Sequence, residues 1–101
     1  MCGISGVISK ANHVINHEMI EEMNTKIIHR GPDGGGVFVD KNLGVGLGHR
    51  RLAIIDLSED GKQPFFSDNG NLILVFNGEI YNYKEIREDL ITLGYNFKTK
   101  T

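Results

Sequence analysis

At 101 residues, 40% of them apolar, the chain has room for one small domain with a modest core and none for a second. A formal charge of −2, from 11 Lys and Arg against 13 Asp and Glu near balance in both halves, excludes the basic footprint of a nucleic-acid binder and the polybasic patch of a membrane-surface protein. One cysteine excludes an intrachain disulfide framework and a multi-cysteine zinc site, and no apolar run approaches the roughly 20 residues that span a bilayer.

The opening Met-Cys-Gly-Ile lacks the charged and apolar regions of a signal peptide, so the chain reads as cytoplasmic. Ile4, Val7 and Ile8, interleaved with Gly3, Ser5 and Gly6, predict a short strand whose small residues permit close backbone approach. A helix is expected over residues 17–28, with Asn16 as N-cap, Glu18 in its first turn, and a sheet-facing stripe of Met19, Met23 and Ile27 beside Ile20. Gly31-Pro32 stops it, since Pro32 has no amide donor and biases the preceding residue away from helix.

Seven of the 13 glycines fall between positions 31 and 48, separating short apolar runs at 37–39 and 45–47, which reads as a meander of short strands rather than a linker. Residues 52–55 form a further strand candidate, and 72–76 the strongest one, preceded by an Asp68-Asn69-Gly70 turn and followed by a second sharp turn at Asn77-Gly78. A second helix is expected from Tyr83, capped by Asn82 with Glu85 three residues on, presenting Ile86, Leu90 and Leu93 on one face and ending at Gly94. The alternation over 95–99 fits another strand. This order gives an α+β class rather than regular βαβ units.

A cysteine at position 2 becomes an N-terminal nucleophile if Met1 is removed, because one residue then carries both a thiol and a free α-amine able to exchange its proton. Position alone fits an ordinary small buried residue better. Arg50 and Arg51 stand just before Leu52, where a planar guanidinium is suited to gripping a carboxylate, although solvation is the default for such arginines. At Asn77-Gly78 a side-chain amide and a backbone N–H can converge on a developing oxyanion, or simply make a hairpin turn. His29-Arg30-Gly31-Pro32-Asp33 packs charges around a tight turn, as an ionic scaffold or a solvated helix stop. Acidic pairs such as Asp33 with Asp40 lie in no EF-hand pattern, and the glycines form no P-loop, so neither a metal nor a phosphate site is indicated.

Four segments together resemble a known family: Met1-Cys2-Gly3-Ile4-Ser5-Gly6, His29-Arg30-Gly31-Pro32-Asp33-Gly34, Gly48-His49-Arg50-Arg51-Leu52-Ala53-Ile54-Ile55-Asp56, and Phe76-Asn77-Gly78-Glu79-Ile80-Tyr81-Asn82. In this order and spacing they look like the class II glutamine amidotransferase domain of glutamine-hydrolysing asparagine synthetases, over essentially the whole chain. The resemblance implies the first half of an N-terminal nucleophile hydrolase fold, an αββα sandwich of two antiparallel sheets between helical layers, with residues 1–101 as the N-terminal part of the domain.

It further implies glutamine hydrolysis to glutamate and ammonia, with Cys2 as nucleophile and its α-amine as base. Asn77 and the Gly78 amide match the oxyanion pair, and Arg51 matches the arginine that binds the glutamine α-carboxylate; Arg50 falls at a variable position. Leu52, Ala53, Ile54, Ile55 and Glu79 complete the substrate pocket, and Arg30 and Asp33 support it from behind. The family pattern runs on past Phe97-Lys98-Thr99 into Asp-Thr-Glu, whose aspartate binds the glutamine α-amine. The resemblance places that aspartate, the remaining strands and the ATP- and magnesium-dependent synthetase domain beyond Thr101, and implies a fragment inactive alone. Sheet edges that the rest of the domain covers favour association, including a homo-oligomer. Relatives with this wording that amidate other carboxylates, and a noncatalytic regulatory or binding half-domain, remain as alternatives.

Overall fold

The glycine-spaced apolar opening forms β1 (Gly3–Ile8), and the helix that follows it is α1 (His17–Lys26). This is a computed structural model that describes residues 1–10, 15–54 and 56–99. Asn16 caps α1 from an extended backbone, its Oδ1 accepting the Met19 N–H at 2.8 Å. The helix stops at Lys26, two residues earlier than the pattern predicts, and a single 3-10 turn (Ile28–Arg30) leads to Gly31.

The glycine-rich stretch becomes a hairpin of β2 (Gly34–Asp40) and β3 (Val45–Arg51), turning where Gly44 takes φ 66°. With β1 these make a three-stranded antiparallel sheet in the order β1-β3-β2, registered by Gly3 opposite Arg50 and by Gly36 opposite His49. The period-two alternation of the central β3 decides everything that follows. Gly46 and Gly48 point at α1, where a Cβ on Gly46 would lie 2.6 Å from Ile20 Cδ1 and one on Gly48 2.8 Å from Ile20 Cγ2. Glycine at both positions lets the helix lie directly on the sheet, with Ile15 and Ile20 fully buried beneath it. Leu47, His49 and Arg51 therefore point to the opposite face.

Asn24 replaces a hydrophobic residue at the centre of this interface. It is 2% exposed, accepts from Ser5 Oγ of β1 at 2.9 Å and donates to the Gly36 carbonyl of β2 at 3.1 Å, so one amide ties the two outer strands together across β3. The buried stripe of α1 is thus Ile20 and Asn24, with Met23 and Ile27 half-buried and Met19 exposed, which corrects the Met19–Met23–Ile27 stripe expected from sequence. Four-residue spacing cannot distinguish two neighbouring faces of one helix.

A second, two-stranded antiparallel sheet pairs β4 (Phe65–Phe66) with β5 (Ile73–Leu74), closed by Ser67 and Leu72 around Gly70 at φ 72°. It docks by its Phe66 ring, edge-on to Phe38 of β2 at 5.8 Å. The predicted strand over 72–76 shrinks to two residues. After it, α2 (Tyr83–Thr92) runs to Gly94 at φ 97°, but the Asn82 side chain makes no capping bond. Ile86 and Leu93 are exposed, because α2 makes no substantial contact with either sheet. Its links run to the segment after it, where Arg87 lies 4.5 Å over the Phe97 ring and donates to the Thr99 carbonyl at 2.9 Å. Residues 95–99 are irregular, not the predicted strand. The described residues form an α+β architecture of two helices and two antiparallel sheets.

Candidate functional site

Cys2 immediately precedes β1, so the antiparallel register places it beside the end of β3 and the chain leaving it. Its half-buried sulfur accepts the Leu52 N–H at 3.3 Å and lies 3.7 Å from the Leu52 carbonyl. Arg30 Nε donates to the Cys2 carbonyl at 3.3 Å, holding the chain end against the 3-10 turn. Met1 is 71% exposed.

The segment 31–33 is stitched to the same place. Asp33 N–H donates to the Arg51 carbonyl at 3.0 Å, Asp33 Oδ2 accepts the Ala53 N–H at 2.9 Å, and Arg50 Nε donates to the Gly31 carbonyl at 2.9 Å. Gly31 is required here by close approach, since any Cβ would collide with the Arg50–Arg51 peptide. These bonds also explain why residues 52–54 are irregular, correcting the strand predicted there. The Leu52 and Ala53 N–H groups that a ladder needs are taken by the Cys2 sulfur and the Asp33 carboxylate. Ile55 lies outside the described residues.

Arg51 ends β3 on the face away from α1 and is 8% exposed. Its Nη1 donates to the Ser58 carbonyl at 2.5 Å and its Nη2 to the Asp56 carbonyl, so the guanidinium is bonded to neutral oxygens. The ion pairs formed among the described residues, His17–Glu21, Lys62–Glu59 and Lys98–Asp68, lie elsewhere. A buried cation so placed suits an incoming carboxylate.

Cys2, Arg30, Asp33, Arg51, Leu52 and Ala53 therefore come together at one corner of the sheet, with Ile54 exposed beside them. Asn77, Gly78 and Glu79 do not join them: they are exposed after β5, and no hydrogen bond links them to Cys2 or Arg51 among the described residues. Gly78 sits at a bend without a positive φ, so Asn77-Gly78 is not the hairpin turn its dipeptide suggests. What holds the segment is Gln63, whose Oε1 accepts the Phe76 N–H at 2.6 Å and whose Nε2 donates to the Phe76 carbonyl at 3.1 Å.

Sequence reasoning assigned no role to Gln63 or to His49, although His49, two residues before Arg51, shares its face by strand alternation. His49 is 1% exposed, and among the described residues neither ring nitrogen has a hydrogen-bond partner. Burial holds its pKa below 6.5; the Phe76 backbone opposes that shift and the Arg51 and Arg50 charges add to it. Clefts of about 440 Å³, floored by Gly36, Gln63 and Pro64, and about 450 Å³, between Phe38, Leu47 and Phe66, flank the sheet without including Cys2. Among the described residues no three of His, Cys, Asp or Glu gather as a metal site, and no helix is long and apolar enough to cross a membrane.

Comparison with known proteins meets this geometry. Asparagine synthetase [glutamine-hydrolyzing] 1 of Bacillus subtilis is 48% identical over 98% of this chain, which covers 16% of that protein. Putative asparagine synthetase [glutamine-hydrolyzing] 2 of Methanocaldococcus jannaschii is 44% identical over all of it, covering 22% of that protein. Amidase chry2 of Gibberella zeae is 44% identical over 89% of the chain and 15% of its own length. The chain thus spans about a sixth to a fifth of the length of these relatives. No solved structure matches. The glutamine amidotransferase domain family matches residues 1–101, so the chain that holds Cys2 against Leu52 belongs to that family, in the class II form found in glutamine-hydrolysing asparagine synthetases.

Proposed function

We propose that these residues form the glutaminase part of an asparagine-synthetase-like enzyme, releasing ammonia from the side chain of glutamine. The observation that supports the reading is the Cys2 sulfur held against the backbone of Leu52, the residue after the buried Arg51.

Removal of the exposed Met1 makes the Cys2 amine the proton acceptor for its own thiol. Sulfur attacks the amide carbon of glutamine, the carbonyl π bond opens to an oxyanion, and the amine returns the proton to the departing nitrogen as ammonia leaves. Water then attacks the thioester, giving glutamate and restoring the thiol. Arg51 binds the α-carboxylate, with Leu52, Ala53, Ile54, Ile55 and Glu79 supplying the rest of the pocket, partly through backbone groups. Arg30 and Asp33 keep Cys2 and Ala53 in place through the bonds described. The Asn77 amide and Gly78 N–H serve the oxyanion.

In a protein of the relatives' length, the ammonia passes to a cytoplasmic ATP- and magnesium-dependent step on an acceptor carboxylate. Aspartate is the acceptor the relatives' names favour; the amidase relative keeps a different acceptor in view. A noncatalytic regulatory or binding role is the alternative reading.

The test is ammonia release from glutamine by the complete gene product, with Met1 removal checked by intact mass. Glutamine-dependent ammonia that disappears in Cys2→Ala, and labelling of Cys2 by a diazoketone analogue of glutamine, are expected. Undiminished activity in Cys2→Ala sinks the reading.

A further inference from the structure

The buried imidazole of His49 has no task in the chemistry above, yet the fold spends an interior position on it. It stands on β3 between Ile4 of β1 and Gly36 of β2, on the face that carries Arg51. Gly36 is roofed by Gln63 and Pro64 so closely that a Cβ there would strike the Gln63 carbonyl and lie 3.0 Å from Pro64 Cδ. Gln63 in turn clamps the backbone of Phe76, and the imidazole lies beside that same backbone. Buried polar atoms are almost always bonded, because desolvation without a partner is costly. Neither ring nitrogen of His49 has a partner at full hydrogen-bond geometry among the described residues, and the backbone group the ring meets is that of Phe76.

The nearest polar group with capacity to spare is the Phe76 carbonyl, one of whose lone pairs serves Gln63. Phe76 immediately precedes Asn77 and Gly78, both exposed. We propose that His49 is a positioning residue, hydrogen-bonding the Phe76–Asn77 backbone in the working state of the site and so setting where the Asn77 amide and the Gly78 N–H stand. A neutral imidazole, with one donor and one acceptor, suits this role, and the buried surroundings and adjacent arginines keep it neutral.

The proposal rests on the glutaminase reading, and the experiment separates the two. Glutamine saturation kinetics are measured on the Met1-free complete gene product, wild type and Cys2→Ala, together with His49→Phe, His49→Asn and His49→Gln, each with its urea unfolding midpoint. Donors that act on the oxyanion are felt in the transition state. His49→Phe is therefore expected to lower kcat at least about tenfold at unchanged KM, since misplacing a catalytic group by an ångström costs on the order of a hundredfold. Its unfolding midpoint should hold or rise, because an unsatisfied polar ring is replaced by an apolar one. Of the two amide variants, the one whose amide matches the bonding nitrogen should recover most of the rate. Wild-type kcat in His49→Phe, or Asn and Gln variants both at wild-type rate or equally impaired at matched stability, overturns the proposal while leaving glutaminase intact. Ammonia release that survives Cys2→Ala overturns the glutaminase reading and this proposal with it. If His49→Phe fails to fold, the contrast between the amide variants decides.

Discussion

Replacing Arg51 by lysine keeps the charge and removes the fork, which isolates what the guanidinium geometry contributes. Two of its N–H groups serve the carbonyls of Ser58 and Asp56, which fixes a side chain that is 8% exposed and leaves its other donors for a ligand. A lysine ammonium cannot hold both loop carbonyls and present a planar pair of donors to a carboxylate. Losing one charge-assisted bond costs about 1.5–3 kcal/mol, which is about 10- to 100-fold in KM. The α-carboxylate is bound equally in ground and transition states, so kcat should change little. The control is γ-aminobutyramide, which is glutamine without its α-carboxylate. Arg51→Lys should weaken glutamine alone and shrink the wild-type preference for it over the truncated amide. If both substrates weaken by the same factor, Arg51 acts only by holding the 56–58 loop, and the carboxylate assignment is refuted.

Asn24→Ala removes both bonds that join β1 to β2 and leaves a gap in a site 2% exposed, so urea unfolding should show a loss of about 2–4 kcal/mol. A Ser5→Ala, Asn24→Ala double-mutant cycle should return a coupling of about 1 kcal/mol from their shared bond, whereas strict additivity would show that bond to be idle. Gly48→Ala drives a methyl into Ile20, Asn24 and Ser5 and should destabilise by about 1–3 kcal/mol or prevent folding, visible as loss of the cooperative unfolding transition. Because the His49 pKa is lowered by folding, the unfolded chain binds more protons below 6.5; stability contributed by this group is complete above 6.5 and lost as the pH falls beneath it. Urea midpoints between pH about 7.5 and about 5.5 should therefore drop further in wild type than in His49→Phe.

The parts of the fold that were legible in the sequence are those where local chemistry and tertiary contact agree. Asn16 capped its helix, the glycine-rich stretch became a hairpin, and the turns at Gly70 and the stop at Gly94 fell where those residues require. The failures share a cause in backbone accounting. A strand exists only where a neighbour takes its N–H and C=O groups. Leu52 and Ala53 give their N–H groups to Cys2 and Asp33, and beyond Leu74 the described residues supply no neighbouring strand, so apolar runs that alternate correctly stay irregular.

The candidate site divides in the same way. Cys2, Arg30, Asp33 and Arg51 are brought together by the β1–β3 register and by bonds spanning up to 50 positions in sequence, which motif wording locates but cannot show. Asn24 and His49 were invisible because a polar residue at an apolar-looking position announces nothing until its neighbours are known. Both turn out to lie on β3's two faces, Asn24 against Gly48 and His49 opposite Gly36. The satisfied amide fixes the sheet that carries Cys2 and Arg51. The imidazole without a partner sits beside the Phe76 backbone, on the segment that carries Asn77 and Gly78, where one hydrogen bond would set the position of both.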